Sequence, residues 1–218
     1  MTRSPRLEYP GALYHVTTRG VRQDPIFVDD RDRMSLLTIL TRALRTCEAR
    51  IFAFCLMGNH YHFVLETHHA NLSMLMHRVN GTFSLSFNRR HARRGQVFDG
   101  RFKALHVDRD AYLLEVCRYV DLNPVRAGLV ASPSEWLWSS FGAHSGCRPA
   151  LPWLATPELH TALTGHVPLD SLQISVAQQR YAEWVHAGIG VPLWKGSLRC
   201  GLYLGDEAFI ERVRLQTP

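Results

Sequence analysis

Two imidazoles, a phenol and an amide are the side chains of this chain whose types and spacing could do chemistry together. His60 and His62 stand in the stretch Cys55-Leu56-Met57-Gly58-Asn59-His60-Tyr61-His62-Phe63-Val64-Leu65-Glu66. On a strand, side chains alternate between faces, so the two imidazoles share one face with Cα atoms roughly 6.6 Å apart. That separation suits two nitrogens bound at about 2.1 Å to a shared metal ion. Glu66 is on the same face but roughly 13 Å beyond His62, too far for the same ion. Histidine pairs also occur on half-exposed strands with no chemistry attached, so the pattern needs a second constellation. Tyr119 and Asn123 supply it. At i and i+4 of a helix they share a face, with Glu115 and Tyr112 one and two turns earlier. A carbonyl oxygen from Asn123 beside two imidazoles would make a three-ligand site open to water or substrate, with donors that admit Mg²⁺ or Mn²⁺. A metal there could polarise a phosphoryl oxygen, and a phenol one turn away could attack the phosphorus. Tyrosine has a pKa near 10, so as a nucleophile it needs metal polarisation of the phosphate, neighbouring cations, or both.

The elements that must position these groups are legible in the patterning. Ile51 to Met57 is an apolar run of strand length, and Gly58-Asn59 is a two-residue hairpin turn of residues that tolerate positive φ. The second strand then alternates, with Tyr61, Phe63 and Leu65 on one face and His60, His62, Val64 and Glu66 on the other. Earlier, Leu13 to Thr17 reads as a strand that ends in a loop at Arg19-Gly20 and Pro25. Asp29, Asp30 and Asp32 open a helix carrying Met34, Leu37, Leu40 and Leu44. After the hairpin, Asn71 is the N-cap of a helix carrying Leu72, Leu75, Met76 and Val79. Phe83, Leu85 and Phe87 continue it, with an expected break near Gly81 and a stop at Gly95. Phe102 to Val107 reads as a further strand, and residues 111–122 as a helix that Pro124 stops. The order strand, helix, strand, strand, helix, strand, helix implies an α+β domain, a mostly antiparallel sheet with packed helices. Trp136 and Trp138 are expected to cover the core. Beyond Ala143 proline and glycine become frequent, so residues 1–145 read as one domain and 146–218 as a small helical tail, with helices over 175–187 and 207–213.

Composition narrows the function class. The 218 residues carry an ordinary globular 46% hydrophobic and 20% charged content, and no apolar run approaches the ~18 residues of a membrane span. No signal peptide is apparent. Five scattered cysteines without Cys-x-x-Cys spacing point to reduced thiols in the cytoplasm. The net charge of +6 resides in one segment. Between Arg78 and Arg109 eight basic residues (Arg78, Arg89, Arg90, Arg93, Arg94, Arg101, Lys103, Arg109) face two acidic ones, and the rest of the chain is neutral. Such a local excess is either a solvated helical face or the footprint of a phosphate-backbone binder.

The sequence resembles the IS200-like, single-tyrosine HUH transposases, most closely the REP-associated tyrosine transposases. The matching stretches are Tyr9-Pro10-Gly11-Ala12-Leu13-Tyr14-His15-Val16-Thr17, Asn59-His60-Tyr61-His62, Asn88-Arg89-Arg90-His91, Phe98-Asp99-Gly100-Arg101-Phe102-Lys103 and Tyr119-Val120-Asp121-Leu122-Asn123-Pro124-Val125-Arg126-Ala127-Gly128. Trp138-Ser139-Ser140 and Leu204-Gly205-Asp206-Glu207-Ala208-Phe209 extend the likeness almost end to end. The resemblance implies a ferredoxin-like fold, that of the HUH endonucleases, and metal-dependent cleavage of single-stranded DNA at hairpin-forming palindromic repeats. It implies Tyr119 as nucleophile through a 5′-phosphotyrosine, His60, His62 and Asn123 as ligands of Mg²⁺ or Mn²⁺, and a place at the bacterial nucleoid. Backbone contacts are expected from Arg19, Arg22, Arg78, Arg89, Arg90, Arg93, Arg94, Arg101 and Lys103, and Phe98 and Phe102 are expected in the core rather than stacked on bases. Such relatives act as monomers or as dimers that share sites, and a monomer is expected here. Two departures stand out. Gly58 replaces a common proline, which should loosen the turn, and Tyr61 stands at the motif's hydrophobic middle position. Two other functions fit the same residues: a domesticated hairpin binder that no longer cuts, and a metal phosphodiesterase that uses water.

Overall fold

The computed structural model describes residues 7–192, 198–199 and 201–216. In chain order the elements are β1 (Ala12–Arg19), α1 (Asp30–Thr46), β2 (Ala49–Leu56), β3 (His60–Thr67), α2 (Leu72–Arg90), β4 (Lys103–Val107) and α3 (Arg109–Asp121). Then follow α4 (Asn123–Arg126), α5 (Phe141–His144), α6 (Thr156–Thr164), α7 (Ser171–His186), β5 (Leu198–Arg199), β6 (Tyr203–Leu204) and α8 (Glu207–Leu215). The sheet runs β2-β3-β1-β4-β6-β5. Its first four strands are antiparallel neighbours in the ferredoxin-like βαββαβ order. β6 lies parallel to β4, and β5 antiparallel to β6. The fold is the expected mixed α+β sheet with packed helices.

The alternation of β1 and β3 divides the interior into two cores. Tyr14, Val16, Tyr61, Phe63 and Leu65 face Leu36 and Leu40 of α1 and Leu75, Val79 and Phe83 of α2. Leu13 and Val64 face the opposite way, against Leu113, Val116 and Val120 of α3 and Tyr181 and Val185 of α7. β2 changes phase once. Ile51 pairs with Leu65 and Ala53 with Val64, so Phe52 is an extra, bulged residue. Phe52 and Ala53 therefore both point toward α3, and the α1/α2 face resumes at Phe54. The outer edge of β2 is covered by residues 138–140, with Leu56 N–H donating to the Trp138 carbonyl at 2.8 Å and Ser140 N–H to the Phe54 carbonyl at 2.9 Å. Trp136 and Trp138 pack partly buried on the two cores, as expected of a cover.

Three local expectations are corrected. α2 runs unbroken through Gly81, because buried Val79 and Phe83 hold the turn on either side. Asn71 does occupy the N-cap position, but its side chain donates to the Cys47 carbonyl at 2.9 Å instead of capping the helix. Pro124 does not merely stop a helix. It opens the short α4, whose first turn needs no proline N–H, and Gly128 at φ +69° closes that turn. Phe98 and Phe102 are buried in the core. The segment after 145 is helical in α6, α7 and α8 and also contributes β5 and β6 to the main sheet. Cys47, Cys55, Cys117 and Cys147 are free thiols, and Cys200 lies outside the described residues. Among the described residues no helix is long and apolar enough to cross a membrane.

Candidate active site

β3 places His60 opposite Arg19 and His62 opposite Thr17 of β1, both imidazoles on the α3 side of the sheet. Their ring centroids are 5.1 Å apart. The hairpin turn fixes the orientation of His60. Asn59 donates its Nδ2 to the Gln23 carbonyl at 3.1 Å, which turns its Oδ1 to His60 Nδ1 at 2.7 Å. An amide oxygen only accepts, so His60 Nδ1 carries the ring proton and Nε2 keeps its lone pair. The loop that supplies the Gln23 carbonyl is unusual. Arg22 and Gln23 both take left-handed φ, 53° and 64°, a conformation that costs residues with a Cβ about 1–2 kcal/mol each. It is pinned by Gly20 N–H on the Asn59 carbonyl at 2.8 Å and Ile26 N–H on the Gly58 carbonyl at 3.1 Å. Gly20 is required there, since a Cβ would lie 2.3 Å from the Asp24 carbonyl oxygen.

His62 is buried, and its Nδ1 meets His15 Nε2 of β1 at 2.9 Å. Its Nε2 is buried with no hydrogen-bond partner. A buried polar atom of this kind is what a ligand would satisfy, and second-side hydrogen bonds on both histidines are how metal-binding imidazoles are held. Burial lowers the pKa of His15 to about 4 and, with the charge of Arg19 adding to it, that of His60 to about 4. Burial, then His15, His60 and Arg19, holds His62 well below the usual histidine range. All three rings are thus neutral at pH 7, the form that binds metal. Among the described residues no group of three His, Cys, Asp or Glu side chains could hold a metal, so a metal shared by both histidines would need a third protein donor of another kind.

α3 brings the phenol to this cluster. The Tyr119 ring meets His15 edge-on at 5.7 Å and His62 at 6.0 Å between centroids. Asn123 follows one turn later, its Nδ2 donating to the carbonyls of Tyr119 at 2.9 Å and Val120 at 3.3 Å. The nitrogen is thereby committed, and Oδ1 is the atom left to bind a ligand. These donors fit a divalent cation such as Mg²⁺ or Mn²⁺. The Arg126 guanidinium lies 5.3 Å from the Tyr119 ring centroid. Glu66 is committed to Arg109, and Glu115 pairs with Arg118 at 2.7 Å.

The basic residues are all exposed, but they divide into groups. Arg19, Arg22, Arg101 and Lys103 gather at the His60 end of the sheet, where Asp99 N–H donates to the Arg19 carbonyl and Lys103 pairs with Thr17. Arg93 and Arg94 flank the same loop, Arg93 standing 3.6 Å from Asp24. Arg89 is on the last turn of α2. Arg90 is an internal strut, bound to Asp29 and Asp32. Arg78 is not brought together with the others. It lies three turns, about 16 Å, before Arg89 on α2, where its charge acts on Cys47 at the opposite end of the sheet. Sequence reasoning gave His15 and Arg126 no role in the site and read Asn59 only as a turn residue. His15 alternates in phase with Leu13 and Thr17, yet only the antiparallel pairing of β1 with β3 reveals that this face is the His62 face.

Comparison with known proteins agrees with the geometry. No curated protein gives a significant match. The solved structure of a REP-associated tyrosine transposase bound to a REP hairpin superposes with a TM-score of 0.58 at 17% identity, covering 70% of this chain and 89% of that one. At that identity the likeness is one of fold. The model of the family described as IS200-like transposases matches residues 9–123, a span that runs from β1 and its His15, through both hairpin histidines, to Tyr119 and Asn123. A match over more than half of the chain, ending just past the helix that carries the phenol, makes this protein a member of the IS200-like transposase family.

Proposed function

We propose that the protein is a metal-dependent single-strand DNA endonuclease and strand transferase that acts on hairpin-forming palindromic repeats. The observation that carries the reading is the phenol of Tyr119 packed edge-on against His62, whose buried Nε2 has no partner. His60, His62 and Asn123 would hold Mg²⁺ or Mn²⁺, which when bound polarises a phosphoryl oxygen of the scissile strand. Tyr119 Oη attacks the phosphorus. The Tyr–O–P bond forms, the P–O3′ bond breaks, the phenolic proton is lost to solvent and the departing 3′ oxygen takes one up. The products are a 5′-phosphotyrosine and a free 3′-OH. Attack by another 3′-OH reverses the step and joins strands with no external energy, because the phosphodiester energy is stored in the tyrosyl ester. Arg126, against the Tyr119 ring, adds positive charge beside the oxygen that must lose its proton.

The hairpin partner is proposed by analogy with the solved transposase, which is bound to one. Arg19, Arg22, Arg89, Arg93, Arg94, Arg101 and Lys103 are the proposed phosphate contacts. On this reading the protein works as a monomer at the bacterial nucleoid, and residues 1–145 carry the chemistry. The test is cleavage of a labelled oligonucleotide carrying the palindromic repeat that flanks the gene. His60→Ala/His62→Ala should lose at least 100-fold in Mg²⁺- or Mn²⁺-dependent cleavage and still bind the hairpin. Cleavage that persists in a chelator, or in the double variant, overturns the assignment.

A further inference from the structure

Tyr119 and the two hairpin histidines belong to different elements, so their site exists only where α3 is held in one orientation on the sheet. Much of the α3 interface is apolar, with Leu113, Val116 and Val120 packed against Leu13 and Val64. Apolar contact is non-directional. It holds the helix down but fixes its roll about its own axis less sharply than a hydrogen bond does. The roll matters for the phenol. An atom about 6 Å from a helix axis moves about 1 Å for a roll of about 10°, and a misplacement of about 1 Å can slow a reaction about 100-fold.

Polar side chains tie α3 down near both ends. At its start Arg109 pairs with Glu66 of β3. At its end the fully buried carboxyl of Asp121 accepts from Ser140 Oγ at 2.6 Å and from Tyr181 Oη of α7 at 2.7 Å. Asp121 comes two residues after Tyr119, about 200° around the helix and about 3 Å along it. The two side chains therefore leave opposite flanks of α3, and a bond that pins one flank sets the height of the other. Ser140 is itself fixed to the sheet. Its N–H donates to the Phe54 carbonyl at 2.9 Å, and its Oγ accepts from the Phe54 N–H at 3.0 Å. The next residue of β2, Cys55, pairs with His62. Hydrogen bonds thus lead from the helix that carries the phenol to the strand paired with His62, the histidine that the Tyr119 ring meets at 6.0 Å. Ser140 and Tyr181 both lie beyond residues 9–123, so this support comes from outside the stretch that the family model matches.

We propose that Asp121 is a positioning residue for the nucleophile: clasped by Ser140 and Tyr181, it fixes the roll of α3 and so the approach of the Tyr119 phenol to the scissile phosphate. The inference rests on the tyrosine chemistry proposed above and names what aims it.

The test uses full-length protein and two readouts. The first is single-turnover cleavage of the hairpin oligonucleotide at saturating DNA and Mn²⁺, at a temperature where circular dichroism shows every variant folded. Ser140→Ala should slow it about 10- to 100-fold and leave hairpin affinity within twofold. Asp121→Asn, which keeps an oxygen acceptor in place, should lose less than tenfold. The double variant should fall well short of the product of the two losses, because both act on one bond. Leu40→Ala, in the core on the other face of the sheet, should lose stability and still cleave within twofold of wild type. The second readout needs no activity. It is the fluorine NMR signal of 3-fluorotyrosine placed at position 119 alone, without metal or DNA, which should shift or broaden in Ser140→Ala and stay in place in Leu40→Ala. Cleavage by Ser140→Ala within twofold of wild type, multiplicative losses in the double variant, an unmoved fluorine signal, or an equal slowing in Leu40→Ala overturns the inference. Absent cleavage by the wild type, with the fluorine signals behaving as expected, defeats the proposed chemistry instead and leaves the positioning of the phenol by Asp121 standing.

Discussion

Tyr181→Phe removes a single hydroxyl from α7 and should destabilise the protein more at pH 8 than at pH 5. The hydroxyl donates to Asp121 at 2.7 Å, and Ser140 Oγ donates to the same carboxyl at 2.6 Å. Asp121 is fully buried at the end of α3, two residues after Tyr119, and burial raises its pKa to about 7 even though Ser140, Tyr181 and the Phe141 N–H oppose the shift. A folded-state pKa above the ordinary 3.8 means that the folded protein holds a proton the unfolded chain has lost. Its contribution is present below pH 3.8 and is lost as pH rises through 7. Removing the tyrosine donor raises that pKa further, so the variant loses more at high pH. At pH 8 the bond goes to an ionised carboxylate and its loss costs about 1.5–3 kcal/mol. At pH 5 the partner is a neutral acid and the loss is about 0.5–1.5 kcal/mol. For a chain of this size the pH 8 value corresponds to a Tm drop of about 3–12 °C. Phenylalanine retains the ring contacts with His144 and Phe141, so packing changes little. The assay is thermal and urea unfolding of both proteins at the two pH values. An equal loss at both, or a larger one at pH 5, refutes the account of Asp121.

Other consequences follow from individual residues. Gly58 has no left-handed φ and a Cβ there meets nothing within 4 Å, so Gly58→Ala should raise stability by about 0.4–1 kcal/mol in urea unfolding. Gly81→Ala, equally open in mid-helix, should gain about 0.8–1 kcal/mol, and a loss at either position would contradict the backbone described. Asp32→Asn breaks the buried acceptor of Val28 N–H, His91 and Arg90 and should cost about 3–5 kcal/mol, whereas a change under 1 kcal/mol would remove Arg90 from its structural role. His15 and His144, held at about 4 and about 3 by burial, and His62 below its usual range, bind protons less readily folded than unfolded. Stability should therefore fall as pH drops from 6.5 toward 4, by up to about 1.4 kcal/mol per pH unit for each ring, with Asp121 offsetting one of them. A flat urea midpoint between pH 6.5 and 4.5 would contradict this.

The hairpin was legible because period-two alternation separates Tyr61, Phe63 and Leu65 from His60, His62 and Val64, and the two cores use those sets as read. The turn was legible in place but not in type. Gly58 and Asn59 do connect the strands, yet neither takes positive φ, so the turn gains no support from glycine's freedom. The helical phase of Tyr119 and Asn123 was likewise readable. What brings them to the histidines is packing of α3 on β2 and β3, which no local pattern encodes. For the same reason His15 was missed, since its role depends on a strand partner 47 residues away. The bulge at Phe52 leaves no mark in an apolar run, and β6 joins the sheet through a pairing of only two residues. Charge counting found the basic segment but could not separate the arginines proposed to meet phosphate from Arg90, whose partners Asp29 and Asp32 lie at the start of another helix.

The central claim is that Tyr119 becomes covalently joined to DNA. Wild-type protein incubated with Mg²⁺ or Mn²⁺ and an end-labelled single strand carrying the flanking palindromic repeat should give, on a denaturing gel, a protein-linked band that Tyr119→Phe abolishes while hairpin binding persists. Cleavage without that band, or substantial cleavage by Tyr119→Phe, would contradict the account.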